Sequence, residues 1–120
     1  MISVDNTKIL NEESFKLRII DSQIEAIGKN VSIEKATGEF IGISKIVKTD
    51  IIEAKKLLNE LILDDFNNYY DLIYQHLSKD GNIAYSFTNG MKWTEIDDIN
   101  DFRYAESIAN MCDGTREHLR

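Results

Sequence analysis

The segment FKLRIIDSQIEAI, residues 15–27, predicts a β-hairpin. Its first five residues alternate apolar and basic side chains, which is the pattern of a strand with one buried face. Asp21 and Ser22 are turn-forming residues, and the segment 23–27 after them resumes with strand-forming residues. We therefore expect a sheet built around this hairpin.

A longer strand and two helices follow the hairpin in the sequence. Residues 39–47 are apolar at most positions, which predicts a strand buried on both faces. Gly42, in the middle of that strand, indicates that another backbone or a ligand comes close. Apolar residues at helical spacing predict one helix over 51–63, begun by a capping box, and a second over 69–77.

The last third of the chain contains a second hairpin signal. Asn89-Gly90 follows the alternating segment 83–87, so the residues from Met91 to Asp97 are predicted to return as a strand. A final helix is expected from Asp98 to about residue 110. This order of elements predicts an α/β fold with a mixed β-sheet and flanking helices, organised as a single domain over residues 1–120.

The predicted returning strand contains the strongest candidate site. Because side chains alternate along a strand, Trp93, Glu95 and Asp97 would share one face. Asp97 would stand at the carboxyl end, where α/β sheets bind their ligands. A carboxylate in that place can hold a divalent cation against phosphate oxygens. The pattern therefore predicts Asp97 as a metal ligand.

Helix capping is a competing explanation for the neighbouring acids. Asp98 at the N-cap with Asp101 three residues later would satisfy free N–H groups of the last helix. Capping does not require Asp97, which keeps its candidate role in binding. Trp93 has two interpretations, since it could pack on a helix or serve as a platform for a ligand ring or cation.

A second candidate site is aromatic. Two tyrosines and a carboxylate at a predicted helix start resemble the cages that hold quaternary ammonium groups, and these residues are Tyr69, Tyr70 and Asp71. The alternative is that the two tyrosines are ordinary residues on a helix face.

Composition excludes several classes of partner. The formal net charge of −7 argues against a nucleic-acid backbone or an anionic membrane surface. A single cysteine, Cys112, permits no internal disulfide, which predicts a reducing, cytoplasmic location. Residues 1–15 lack the apolar run of a signal peptide, and no segment approaches the ~20 apolar residues of a membrane span.

Three segments together resemble a known family. They are IEAIGK at 24–29, GEFIGISK at 38–45 and WTEID at 93–97, followed by an acidic helix start. In this order they are similar to sugar-nucleotidyltransferase-like enzymes, nearest the phosphocholine and 2-aminoethylphosphonate cytidylyltransferase group. The resemblance covers residues 15–106 and corresponds to the C-terminal half of such an enzyme. It implies part of a Rossmann-like mixed sheet.

The resemblance also implies an activity and its residues. Asp97 would hold a catalytic Mg²⁺, and Glu95 would lie beside it toward the substrate. Glu39 and Lys45 would face the same pocket from their strand. The implied reaction transfers a nucleotidyl group, from CTP in the nearest group, to an alcohol phosphate or phosphonate with release of pyrophosphate. Choline, ethanolamine, aminoethylphosphonate and sugar substrates all remain open.

The chain departs from the family in one important respect. The glycine-rich nucleotide loop and the first metal-binding aspartate belong to the N-terminal half, and these 120 residues contain no such loop. We therefore expect the chain to be inactive alone and to need that half in the same chain or from another. The alternative is a non-catalytic α/β module that binds a ligand or partner. An exposed sheet edge would favour a homodimer.

Overall fold

The computed structural model describes residues 1–64, 72–79 and 83–117. Over these residues the fold is mixed α/β, with a five-stranded mixed sheet and three α-helices. The chain separates into two compact units, Met1–Gly90 and Met91–Arg120. The first unit contains the whole sheet and two of the helices, and the second contains the third helix.

The sheet has the strand order β3-β2-β4-β1-β5. Its strands are β1 Ile2–Asp5, β2 Lys16–Ile20, β3 Gln23–Gly28, β4 Gly38–Ser44 and β5 Tyr85–Phe87. The helices are α1 Ile51–Asp64, α2 Leu72–Lys79 and α3 Ile99–Glu117, and a short 3₁₀ turn spans Ile33–Lys35. Neighbouring strands are antiparallel except for β1 and β5, which pair in parallel.

The hairpin predicted around residues 15–27 is confirmed. Strands β2 and β3 pair antiparallel, with Leu17 opposite Ile27. Asp21 and Ser22 have φ angles of 49° and 63°. Positive φ at both central residues is what a tight two-residue hairpin turn requires, because its twist then matches that of the strands.

The central strand β1 was not predicted from the sequence. It lies between β4 and β5, and Ile2 and Val4 are almost fully buried. A four-residue strand is too short to establish an alternating pattern. Its position depends on pairing with segments that are distant in sequence.

Strand β4 is buried over only part of the predicted length. Residues 38–41 are buried, but the strand ends at Ser44, and Ile43 and Val47 are 62% and 50% exposed. The prediction of burial on both faces is therefore wrong for the second half. Gly42 has a φ of 78°, a backbone conformation that favours glycine.

A close backbone approach in β4 occurs at Gly38. We expect Gly38→Ala to lower the free energy of unfolding by about 1–3 kcal/mol, the usual cost of overpacking. An ideal Cβ there would lie 2.4 Å from the carbonyl oxygen of Asp5, so β1 and β4 would have to separate. Urea unfolding measures the loss.

Gly90→Ala is the control for the Gly38 substitution. Among the described residues, no atom lies within 4 Å of a Cβ at Gly90, but the φ there is 79°. That backbone conformation alone predicts a loss of about 1 kcal/mol. A Gly38 variant as stable as the wild type would show that the sheet absorbs the extra atom without strain.

The second predicted hairpin forms its turn but not its returning strand. Asn89 and Gly90 have φ angles of 52° and 79°, as the turn requires. Residues 91–96 have no regular secondary structure, and β5 pairs with β1 instead. A three-residue strand offers little ladder to a partner, and Met91 and Ile96 remain exposed rather than forming a buried face.

Helices α1 and α2 pack against the apolar side chains of the sheet. Ala54 of α1 and Ile73 and Tyr74 of α2 belong to one buried cluster with apolar side chains from four strands. The ring of Phe40 makes edge contacts with Tyr74 at 5.3 Å and with Phe15 at 6.1 Å. The predicted position of α1 is thereby confirmed, and the described part of α2 falls largely within its predicted range.

Candidate functional site

The N-terminus of α3 is capped by two carboxylates. Asp98 accepts hydrogen bonds through Oδ1 from the backbone N–H groups of Asn100 at 2.7 Å and Asp101 at 3.0 Å. Asp101 accepts through Oδ2 from the N–H groups of Asp97 and Asp98, both at 3.2 Å. The two side chains form a reciprocal capping box, which confirms the capping interpretation for this pair.

Two further carboxylates beside the cap do not take part in capping the helix. Glu95 and Asp97 are exposed, and their carboxylates form no hydrogen bond or ion pair in the part of the chain that the structure describes. The backbone of Asp97 is nevertheless held in place by its N–H bond to Asp101. The acidic segment 95–101 therefore divides into acids that cap the helix and acids that remain available to a ligand.

The strand argument for this segment is wrong. Trp93, Glu95 and Asp97 lie in or directly after a stretch without regular structure, so they do not share a strand face. Asp97 stands just before a helix rather than at the carboxyl end of a strand. Trp93 is partly buried.

The donor atoms suit Mg²⁺, but the described residues supply only part of a site. Carboxylate oxygens are preferred ligands of this ion. Within residues 1–64, 72–79 and 83–117, no group of three or more His, Cys, Asp or Glu is arranged to hold a metal. An ion held by Asp97 would therefore draw most of its ligands from water and phosphate oxygens, as Mg²⁺ commonly does.

The structure places Glu39 and Lys45 at opposite ends of β1. Glu39 pairs with Asp5 in the sheet, and the backbone of Lys45 pairs with Met1. Six residues of strand separate the two by roughly 15–20 Å. Lys8 Nζ lies 3.0 Å from Oε2 of the buried Glu39, so this carboxylate forms an ion pair within the fold.

The remaining predicted substrate contacts are the two tyrosines and the aspartate of the aromatic cage. Tyr69, Tyr70 and Asp71 lie outside the described residues, so the cage remains a prediction. Glu39 and Lys45 belong to the first unit, whereas Trp93, Glu95 and Asp97 belong to the second.

Sequence reasoning missed two buried charged residues, Asp5 in β1 and Lys16 in β2. The Oδ1 atom of Asp5 accepts hydrogen bonds from the N–H and hydroxyl of Thr7 at 2.8 Å and from the N–H of Lys8 at 3.2 Å. This is a local turn that an Asp followed two residues later by Thr could have indicated. It gives Asp5 a structural role in ending β1.

The second missed residue is Lys16, which is fully buried. Its ammonium donates to the backbone carbonyls of Asn11 at 3.3 Å, Glu12 at 3.1 Å and Ser14 at 3.1 Å. An alternating apolar and basic strand gave no signal of this, because lysine in that pattern is normally solvated. The ammonium satisfies carbonyls of the loop before β2.

The ammonium group of Lys29 forms an ion pair with a carboxylate. Its Nζ lies 2.9 Å from Oε2 of Glu13. This hydrogen bond, with the charge of the ammonium, holds the pKa of Glu13 below its ordinary value. Both side chains are exposed, so the pair is a surface contact of small energetic consequence.

Comparisons with known proteins give no independent identification. No protein-family model, curated protein or solved structure matches this chain. Among the described helices, none combines the length and the apolar character needed to cross a membrane.

Proposed function

We propose that this chain is the C-terminal, substrate- and metal-binding part of a nucleotidyltransferase with a Rossmann-like fold. The complete enzyme transfers a nucleotidyl group, cytidylyl from CTP, to an alcohol phosphate or phosphonate and releases pyrophosphate. The observation that carries the proposal is the pair of unengaged carboxylates, Glu95 and Asp97, inside the segment whose sequence resembles the family's metal motif. The capping box of Asp98 and Asp101 supports it, because it removes the simplest structural explanation for the other two acids.

Each carboxylate has a distinct proposed role. Asp97 holds Mg²⁺, since its backbone is fixed by Asp101 while its carboxylate faces solvent. Glu95 lies two residues earlier and helps to place the substrate. The ion, when bound, neutralises charge between the phosphate groups that must approach each other. The glycine-rich loop for the nucleotide is supplied by a further segment or by another chain.

Paramagnetic Mn²⁺ used as a Mg²⁺ probe tests this assignment on the chain itself. In amide NMR spectra we expect Mn²⁺ to broaden first the signals of Glu95 and Asp97. Asp97→Asn should remove this selectivity, because an amide lacks the charge that attracts the ion. Asp98→Asn is the matched control, since it loses one neighbouring charge but keeps a good helix cap.

Two outcomes would overturn the metal assignment. One is broadening centred on other carboxylates, such as Asp5 and Glu39. The other is selective broadening that survives in Asp97→Asn but disappears in Asp98→Asn.

A non-catalytic interaction module is the second candidate, and a different observation favours it. The segment after the buried half of β4 exposes five large aliphatic side chains, namely Ile43, Ile46, Val47, Ile51 and Ile52. Their exposed fractions range from 38% to 79%. Exposed apolar side chains grouped in one segment often mark an interface with another chain or domain.

We expect the isolated chain to self-associate through this apolar segment. Burying the exposed aliphatic side chains against a second copy removes apolar surface from water. Sedimentation across micromolar concentrations should show a species heavier than the monomer. The double variant Ile43→Ser with Val47→Ser should shift the equilibrium toward monomer, whereas Lys48→Ser should not. A wild-type chain that sediments as a monomer throughout would contradict the expectation.

A further inference from the structure

A polar cleft lies within the first unit. It has a volume of about 480 Å³ and is bordered by the β2–β3 hairpin, the loop with the 3₁₀ turn, and α2. None of its lining residues belongs to the acidic segment 95–101. Its volume falls within the range of about 300–1,000 Å³ that is usual for small-molecule sites.

The charge of this cleft is opposite to that of the chain. Three cationic side chains line it, Arg18, Lys35 and Lys79, against one carboxylate, Glu25. Arg18 Nε lies 2.9 Å from Oε2 of Glu25, so that pair is largely neutral. The two lysines form no ion pair or side-chain hydrogen bond in the described part of the chain. The cleft therefore has a local excess of two positive charges, although the net charge of the chain is −7.

Neutral polar groups converge beside these lysines. A Cβ added at Gly28 would lie 2.7 Å from Gln75 Nε2 and 2.8 Å from Asn30 Oδ1, so both side-chain amides reach the same place. Neither amide, nor the hydroxyl of Ser32, forms a hydrogen bond within the described residues. The cleft therefore offers both donors and acceptors that the fold itself does not use.

From this arrangement we infer that the cleft binds a small phosphorylated molecule that also carries hydroxyl groups. A phosphate monoester has a charge between about −1.5 and −2 near neutral pH, which matches the two unengaged ammonium groups. The amides of Asn30 and Gln75 and the Ser32 hydroxyl recognise the ligand's hydroxyl groups. This site is independent of the proposed metal site and of nucleotidyl transfer.

Amide NMR titration with glycerol 3-phosphate tests the inference. We expect saturable shifts at Asn30, Ser32 and Gln75, with glycerol and acetate at equal ionic strength giving none of comparable size. The double variant Lys35→Gln with Lys79→Gln should weaken binding at least about tenfold, because charge-assisted hydrogen bonds are the strong ones. Lys48→Gln with Lys55→Gln is the control, since it removes the same charge from exposed positions outside the cleft.

The titration separates the proposal from its alternatives. Equal weakening by both double variants would overturn it, since only net charge would then matter. Acetate binding as tightly as the phosphate ester would reject the phosphate specificity. Absence of saturable shifts in the wild-type chain would reject the site, whatever the result of the Mn²⁺ experiment.

Discussion

In the nucleotidyltransferase that we propose, Asp97→Asn is expected to lower the turnover of nucleotidyl transfer at least ~100-fold. Asparagine keeps the shape of the side chain but removes the charge that would hold Mg²⁺ near the phosphates. Folding should be nearly unchanged, because the Asp97 carboxylate is exposed and forms no hydrogen bond or ion pair among the described residues. Pyrophosphate release from CTP and an alcohol phosphate measures turnover, and circular dichroism monitors the fold.

Asp98→Asn is the matched control for this experiment. Its Oδ1 caps α3, and asparagine caps helices about as well as aspartate. The variant should therefore keep both stability and turnover close to wild type. Full activity in Asp97→Asn, or loss confined to Asp98→Asn, would leave the acidic segment with helix capping as its explanation.

Lys16→Met is expected to lower the free energy of unfolding by about 2–4 kcal/mol. Methionine retains much of the apolar stem but cannot donate to the three carbonyls that the ammonium satisfies. Those carbonyls belong to Asn11, Glu12 and Ser14, and the bond to Ser14 is buried. A buried carbonyl that loses its hydrogen-bond partner lowers the stability of the folded state. Here the affected carbonyls belong to the loop that leads into β2.

Urea unfolding of Lys16→Met against Lys55→Met measures this effect. Lys55 is exposed on α1, so its replacement should change stability by less than about 0.5 kcal/mol. A Lys16 variant as stable as the Lys55 variant would be informative. It would show that the desolvation cost of the buried ammonium cancels the hydrogen bonds that it makes.

Local signals in the sequence were sufficient for several elements. The β2–β3 hairpin follows from an alternating pattern and a two-residue turn, and α1 follows from apolar spacing after Asp50. The capping box at Asp98 and Asp101 was also predictable. In each case the interacting groups are close in sequence, so residue type and spacing contain the necessary information.

Pairing between distant segments decided the rest. β1 is central because it pairs with β4 and β5, yet its four residues carry no distinctive pattern. The turn at Asn89-Gly90 forms as its residue types require, but residues 91–96 after it form no strand. A turn motif specifies local dihedral angles and cannot by itself supply the cross-strand contacts that hold a strand.

The candidate site shows the same division. Residue type and the motif at 93–97 singled out Glu95 and Asp97 as acids suited to a cation. Only the tertiary structure showed that Glu39 is engaged by Lys8 and that Lys16 is buried against loop carbonyls. The sequence determines the chemistry of each side chain. Whether that side chain is available to a ligand depends on its partners in the fold, and long-range packing brings those partners together.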